Sequence, residues 1–204
     1  VSLHQYRETV DMMMKRIAIV LAVLGAGVAP AFAHLDPAGQ GSLMAGLSHP
    51  LFGSDHVLAM VAVGLWAALL GGRALWLAPL AFVGAMSIGF AVALLDLPLP
   101  FVEPVILASV VVIGLLAATA LRVPAGIAMA MVGFFALFHG HAHGGEMGSA
   151  GAIVFGIGFA LSTAMLHVTG IGLARLFGSG AGRLVARVAG GAAALGGLWL
   201  AMAG

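Results

Sequence analysis

The chain has 204 residues, of which 62% are hydrophobic and only 7% charged, with a mean hydropathy of +1.17 and a formal net charge of +1. That composition excludes a soluble globular domain and predicts a polytopic membrane protein. It also lacks the concentrated basic face that nucleic acid would need. With no cysteine, disulfides, thiolate metal sites and cysteine nucleophiles are excluded, so any metal site must be built mainly from nitrogen and oxygen ligands.

In chain order, residues 1–11 are polar, precede Met12, Met13 and Met14, and read as an overcalled start. Residues 12–33 read as a secretory signal peptide. Lys15 and Arg16 form the basic region, Ile17 to Val28 the apolar stretch, and Ala31-Phe32-Ala33 the cleavage site. An uncleaved anchor helix is the alternative, but Pro30 and the small residues fit a peptidase site better. The mature chain, 34–204, would then begin at His34.

Crossing about 30 Å of hydrocarbon takes about 20 residues. The mature sequence supplies six such runs, at about 47–71, 74–95, 102–121, 124–143, 150–176 and 182–203. The expected fold is all-α, a polytopic membrane bundle of six transmembrane helices after a cleaved signal peptide. The breaks combine Gly or Pro with the few available charges. Most of the glycines, Gly84, Gly89, Gly156, Gly158, Gly190 and Gly197 among them, read as close-packing positions between helices.

Charge placement gives an orientation. Past the signal, Arg73, Arg122, Arg175, Arg183 and Arg187 sit at or beside the 1/2, 3/4 and 5/6 connections. Asp36, Asp55, Asp96, Glu103 and Glu146 fall on the other side. The positive-inside bias puts both mature termini in the periplasm of a bacterial inner membrane.

Two histidine clusters lie in this apolar chain, His49-Pro50-Leu51-Phe52-Gly53-Ser54-Asp55-His56 and Phe138 to Glu146, which holds His139, His141 and His143. Imidazoles and carboxylates at membrane depth are costly and usually handle an ion or a proton. The charge argument places both clusters on the periplasmic side. His49 and His56, seven apart, are expected nearly above one another on one helix face. Pro50 either opens that helix or kinks it. Asp55 either ligates directly or orients a histidine. His139 and His143, four apart, share a face, and His141 points elsewhere unless Gly140 and Gly144 distort the helix. Gly144 and Gly145 are expected to let the chain fold Glu146 back over the site. A second rank of candidates comprises His34 at the mature terminus, Glu103 at the outer start of span 3, His141, and His167 midway along span 5. Imidazole with carboxylate suits nickel, cobalt or zinc better than Cu(I), calcium or magnesium, and ligand type does not choose among the three.

Two long motifs carry a resemblance: His-x5-Asp-His, met by His49, Asp55 and His56, and Phe-His-Gly-x-Ala-His-Gly-x-Glu, met from Phe138 to Glu146. With them the chain resembles the HupE/UreJ family of bacterial nickel and cobalt permeases. The resemblance implies secondary uptake of nickel or cobalt for metalloenzymes or cobalamin, and a role in transport for His49, Asp55, His56, His139, His143 and Glu146. The metal is then cargo and no permanently bound cofactor is expected. Expected partners are the divalent ion and the lipid bilayer, with a homo-oligomer or accessory metal-handling proteins also compatible. No Walker A pattern occurs, so a gradient, the membrane potential or an energising partner would drive transport. A membrane metal sensor or chaperone is the rival reading. An intramembrane metalloenzyme is less favoured, since neither His-Glu-x-x-His nor Gly-x-Ser-x-Gly is present.

Overall fold

A computed structural model describes residues 42–146, 151–176 and 178–203 of the chain. The proposed overcalled start, the signal peptide, His34 and Asp36 all lie outside the described residues. Within these limits the chain is all-helical: α1 (Leu43–Phe52), α2 (Ser54–Leu70), α3 (Ala74–Leu94), α4 (Val102–Thr119), α5 (Ala125–Glu146), α6 (Ala152–Leu176) and α7 (Gly178–Ala203). Helices α3 to α7 are each long and apolar enough to cross a membrane, with mean hydropathies of 1.4 to 2.2. Large apolar side chains such as Leu80, Ile88, Ile153, Leu195 and Met202 face outward. A water-soluble bundle would turn these inward, so the chain is a multi-pass membrane protein.

The first expected span differs from its prediction. α1 and α2 together pass the length and hydropathy test, but they meet at 87°. α1 starts at Leu43, where the Ser42 hydroxyl accepts the Ala45 N–H at 3.0 Å, and Pro50 lies inside it. The break falls at Gly53, whose extended backbone (φ −87°, ψ 111°) ends α1 and precedes α2. Helical spacing therefore cannot stack His49 over His56, because they belong to different helices. Two further boundaries move. α5 stays helical through Gly144 and Gly145 to Glu146, so the chain does not fold back there, and α7 begins at Gly178 rather than about 182.

The chain packs as three intimate groups. Between α3 and α5, Gly89 lies against the Leu137 carbonyl, and Gly140 and Gly144 lie against those of Met86 and Phe90. Between α4 and α7, Gly114 and Gly190 face each other. α6 meets α2 through Gly64 and Gly170, and meets α1 through Gly46 and Gly158. At each place an added Cβ would run into backbone, so hydrogen is the only side chain that permits the approach. Not every glycine serves this end: among the described residues, Gly84 has nothing within 4 Å of where its Cβ would stand. α2, apolar on nearly all sides from Ala59 to Ala67, runs through the interior and touches α3, α4, α6 and α7. At its far end the Trp66 indole N–H donates to the Leu121 carbonyl at 2.9 Å, just past Ala120, whose left-handed backbone (φ 53°) ends α4.

Candidate metal centre

The packing brings the two histidine motifs together at one end of the bundle. His49 closes α1, Asp55 and His56 open α2, and His139 and His143 stand one turn apart near the end of α5. Their rings form a continuous chain of contacts. His49 Nε2 meets His143 Nδ1 at 2.8 Å. His143 Nε2 meets His56 Nε2 at 2.7 Å, and the same His56 nitrogen meets His139 Nδ1 at 3.0 Å. His139 Nε2 ends the chain on the Ser109 hydroxyl of α4 at 2.8 Å.

His56, His139 and His143 therefore share one design. Each turns one nitrogen toward a common point, where His56 Nε2, His139 Nδ1 and His143 Nε2 come together, and the other toward an anchor. The anchors are Asp55 Oδ2, 3.2 Å from His56 Nδ1; Ser109 for His139; and His49 for His143. Two hydrogen positions follow. Ser109 spends its own proton on the Ile106 carbonyl at 2.6 Å, so its oxygen accepts from an Nε2–H of His139. His139 Nδ1 is then a lone pair facing inward. Likewise, the Asp55 carboxylate accepts from a His56 Nδ1–H, turning His56 Nε2 inward. Carboxylates and hydroxyls behind metal-binding imidazoles fix tautomer and ring orientation in this manner.

Burial grades across the site. Asp55 is 23% exposed, His143 8%, His56 4% and His139 fully enclosed. Phe159 of α6 packs on the rings of His49, His56 and His143, and Phe82 of α3 on that of His139, so apolar walls close the inner side. The nitrogens touch one another directly, and among the described residues no three His, Asp or Glu groups are already spaced around an ion. With His139 Nδ1 and His56 Nε2 both lone pairs, no hydrogen stands between those two nitrogens, and a cation could be enclosed here only if the rings separated.

The other expected site residues divide. His141 leaves the cluster, as its position between His139 and His143 implied, and donates from Nε2 to the Leu97 carbonyl at 2.8 Å in the α3–α4 connection. Glu103 is exposed in the first turn of α4, lining a surface cavity with Pro104, Leu107 and Ala201, and makes no contact with the imidazoles. Glu146 closes α5, and its side chain lies outside the described residues. His167 is buried in α6, apart from the cluster. Sequence reasoning missed Ser109, Phe82 and Phe159. The signal for Ser109 was a hydroxyl in the apolar middle of the helix Val102–Thr119.

Fold and site together define a class: an all-helical, multi-pass membrane protein with an imidazole and carboxylate cluster enclosed at one end. The model of the HupE / UreJ protein family matches residues 19–200, and the chain belongs to that family. It is 47% identical to "Protein HupE" of Rhizobium leguminosarum bv. viciae over 187 residues, covering 91% of this chain and 97% of that one. As the resemblance implies, this is a transporter-type family associated with nickel and cobalt, not an enzyme family. No solved structure matches the chain.

Proposed function

We propose that the protein is a secondary permease that takes up a divalent transition metal, nickel first and cobalt as the alternative, across a bacterial inner membrane. One observation carries this reading: three imidazoles from two distant motifs turn a nitrogen each to one point, with a carboxylate, a hydroxyl and a fourth imidazole behind them. In this reading α1 and α2 count as one broken span, giving six, and the cluster end faces the periplasm because Arg73, Arg122 and Arg175 occupy the opposite end.

The ion arrives hydrated at Asp55 and His49, the accessible part of the site, and exchanges water for the nitrogens of His56, His139 and His143. Asp55 offsets part of its charge, which would otherwise be prohibitive in an apolar interior. Broken helices with their ends at the binding site are a recurring device of membrane transporters, and the α1–α2 break at Gly53 stands beside this cluster. A membrane potential acting on a dication supplies roughly 4.6 kcal/mol per 100 mV, enough to drive uptake without nucleotide.

Radioactive nickel uptake into proteoliposomes tests the reading. His56→Ala and His139→Ala are each expected to abolish uptake, and competition by cobalt and zinc ranks the metals. If both variants transport at the parental rate, the metal does not pass through this cluster.

A further inference from the structure

One imidazole lies deeper than the others. His167 sits just past the middle of the 25-residue α6 and is enclosed by protein. Among the described residues neither of its ring nitrogens has a hydrogen-bond partner. A histidine that only ties helices together would make an interhelical hydrogen bond, and His167 makes none to the described helices. The close approach of α6 to α2 at this level involves its backbone carbonyl against Gly64, which any residue would supply.

Its surroundings lead to the cluster. Phe159, Thr163 and His167 follow one another at helical spacing on one face of α6. Phe159 rests on the cluster's rings, and about 12 Å of helix separates it from His167. Facing this stripe on α3 are Met86, whose sulfur accepts the Thr163 hydroxyl proton at 3.6 Å, and Phe82, one turn away. The Phe82 ring stands edge-on to His167 with centroids 5.0 Å apart and packs on His139 at 5.7 Å. A single phenyl ring thus touches both the innermost imidazole of the cluster and His167.

We infer that His167, with the Thr163 hydroxyl and the Met86 thioether, forms an inner station that receives a divalent transition-metal ion from the histidine cluster and passes it inward. The inference rests on the reading of the cluster as the metal entrance. The donors are an imidazole, a hydroxyl and a thioether, all neutral, whereas the cluster has Asp55 beside it. A neutral donor set holds a dication less firmly than one with a carboxylate, which suits a step from which the ion must leave. Nitrogen with sulfur also favours late transition ions over magnesium or calcium.

The test uses the full chain, with three measurements on His167→Leu and His167→Gln: radioactive nickel uptake into proteoliposomes, nickel binding to the solubilised protein, and thermal unfolding. Both variants are expected to bind nickel at the cluster within twofold of the parent and to transport at least tenfold more slowly. His167→Leu is expected to unfold at the parental temperature or above, because leucine replaces a buried group with no partner. Uptake within twofold of the parent overturns the inner station. So does a lowered unfolding temperature together with lost nickel binding, which assigns His167 to packing. His56→Ala, run in parallel, separates the two levels. If it is inactive while His167→Leu transports normally, only the inner station falls; if it transports normally, the entrance reading falls as well.

Discussion

Ser109→Ala removes a single oxygen atom that touches no ion. In the parent, the Ser109 oxygen accepts the His139 Nε2–H at 2.8 Å while its own proton goes to the Ile106 carbonyl at 2.6 Å. Alanine leaves that ring N–H buried without its acceptor, at a cost of about 1–3 kcal/mol. The ring escapes the cost by moving its proton to Nδ1, where His56 Nε2 lies 3.0 Å away. Nδ1 then presents a proton to the cluster instead of a lone pair, and metal binding must first reverse that choice. Loss of such an anchor weakens metal binding by about ten- to a hundredfold, or about 1.4–2.7 kcal/mol, in line with the cost of the lost hydrogen bond. Calorimetric titration of the solubilised protein with nickel reads this directly, and uptake at a subsaturating nickel concentration should fall in parallel. Ser109→Thr, which keeps the hydroxyl, is expected to recover most of the affinity. Parental affinity in Ser109→Ala would refute the tautomer assignment, and with it the role of Ser109 as an anchor.

Four other expectations follow. His141→Ala should retain at least half of the parental uptake, since His141 donates to the Leu97 carbonyl outside the cluster, while His143→Ala should lose nearly all of it; equal losses in one uptake assay would contradict the separation. Gly140→Ala places a Cβ over the Met86 carbonyl oxygen and 2.8 Å from the Phe90 nitrogen, so it should lower the unfolding temperature and impair nickel binding. Gly84→Ala, with open space around it, should leave the protein as stable or up to about 1 kcal/mol more so, read in the same thermal scan. On the proposed reading nickel binding should weaken as the medium is acidified, because protons would compete with the ion for imidazole nitrogens, and a pH-independent titration would count against imidazole ligation.

The chemistry of the site was more legible in the sequence than its shape. Histidine and aspartate are so expensive in an apolar chain that their two runs marked the cluster, and the alternation of His139, His141 and His143 already separated the middle residue from its neighbours. Ser109 was not legible. A serine in an apolar helix ordinarily bonds back to its own turn, and Ser109 does so through its proton, while its second role depends on a ring thirty residues away. The bend was hidden for a different reason. Pro50 drew attention as the expected disruption, yet it is accommodated within α1, and the chain turns at Gly53, whose dihedrals are open to any residue. Glycine content announced close packing but not which glycines take part: Gly89 and Gly84 look alike in sequence, and only the first meets another backbone. The ends of α5 and α7 moved because helical hydrogen bonding carries through small residues that, read locally, looked like breaks.

The three glycine-mediated groups have a bearing on how the site works. His49 and His56 belong to the group built on α6, His139 and His143 to the α3–α5 pair, and Ser109 to the α4–α7 pair. Each group contributes what the other two lack, and contacts of 2.7 to 3.0 Å leave almost no slack where they meet. The cluster is therefore a keystone. On the proposed reading, an ion that pushed its rings apart would bear on all three groups together, and sliding of one group against another would open or close the ring of nitrogens. Occupancy and the shape of the bundle would then be one variable.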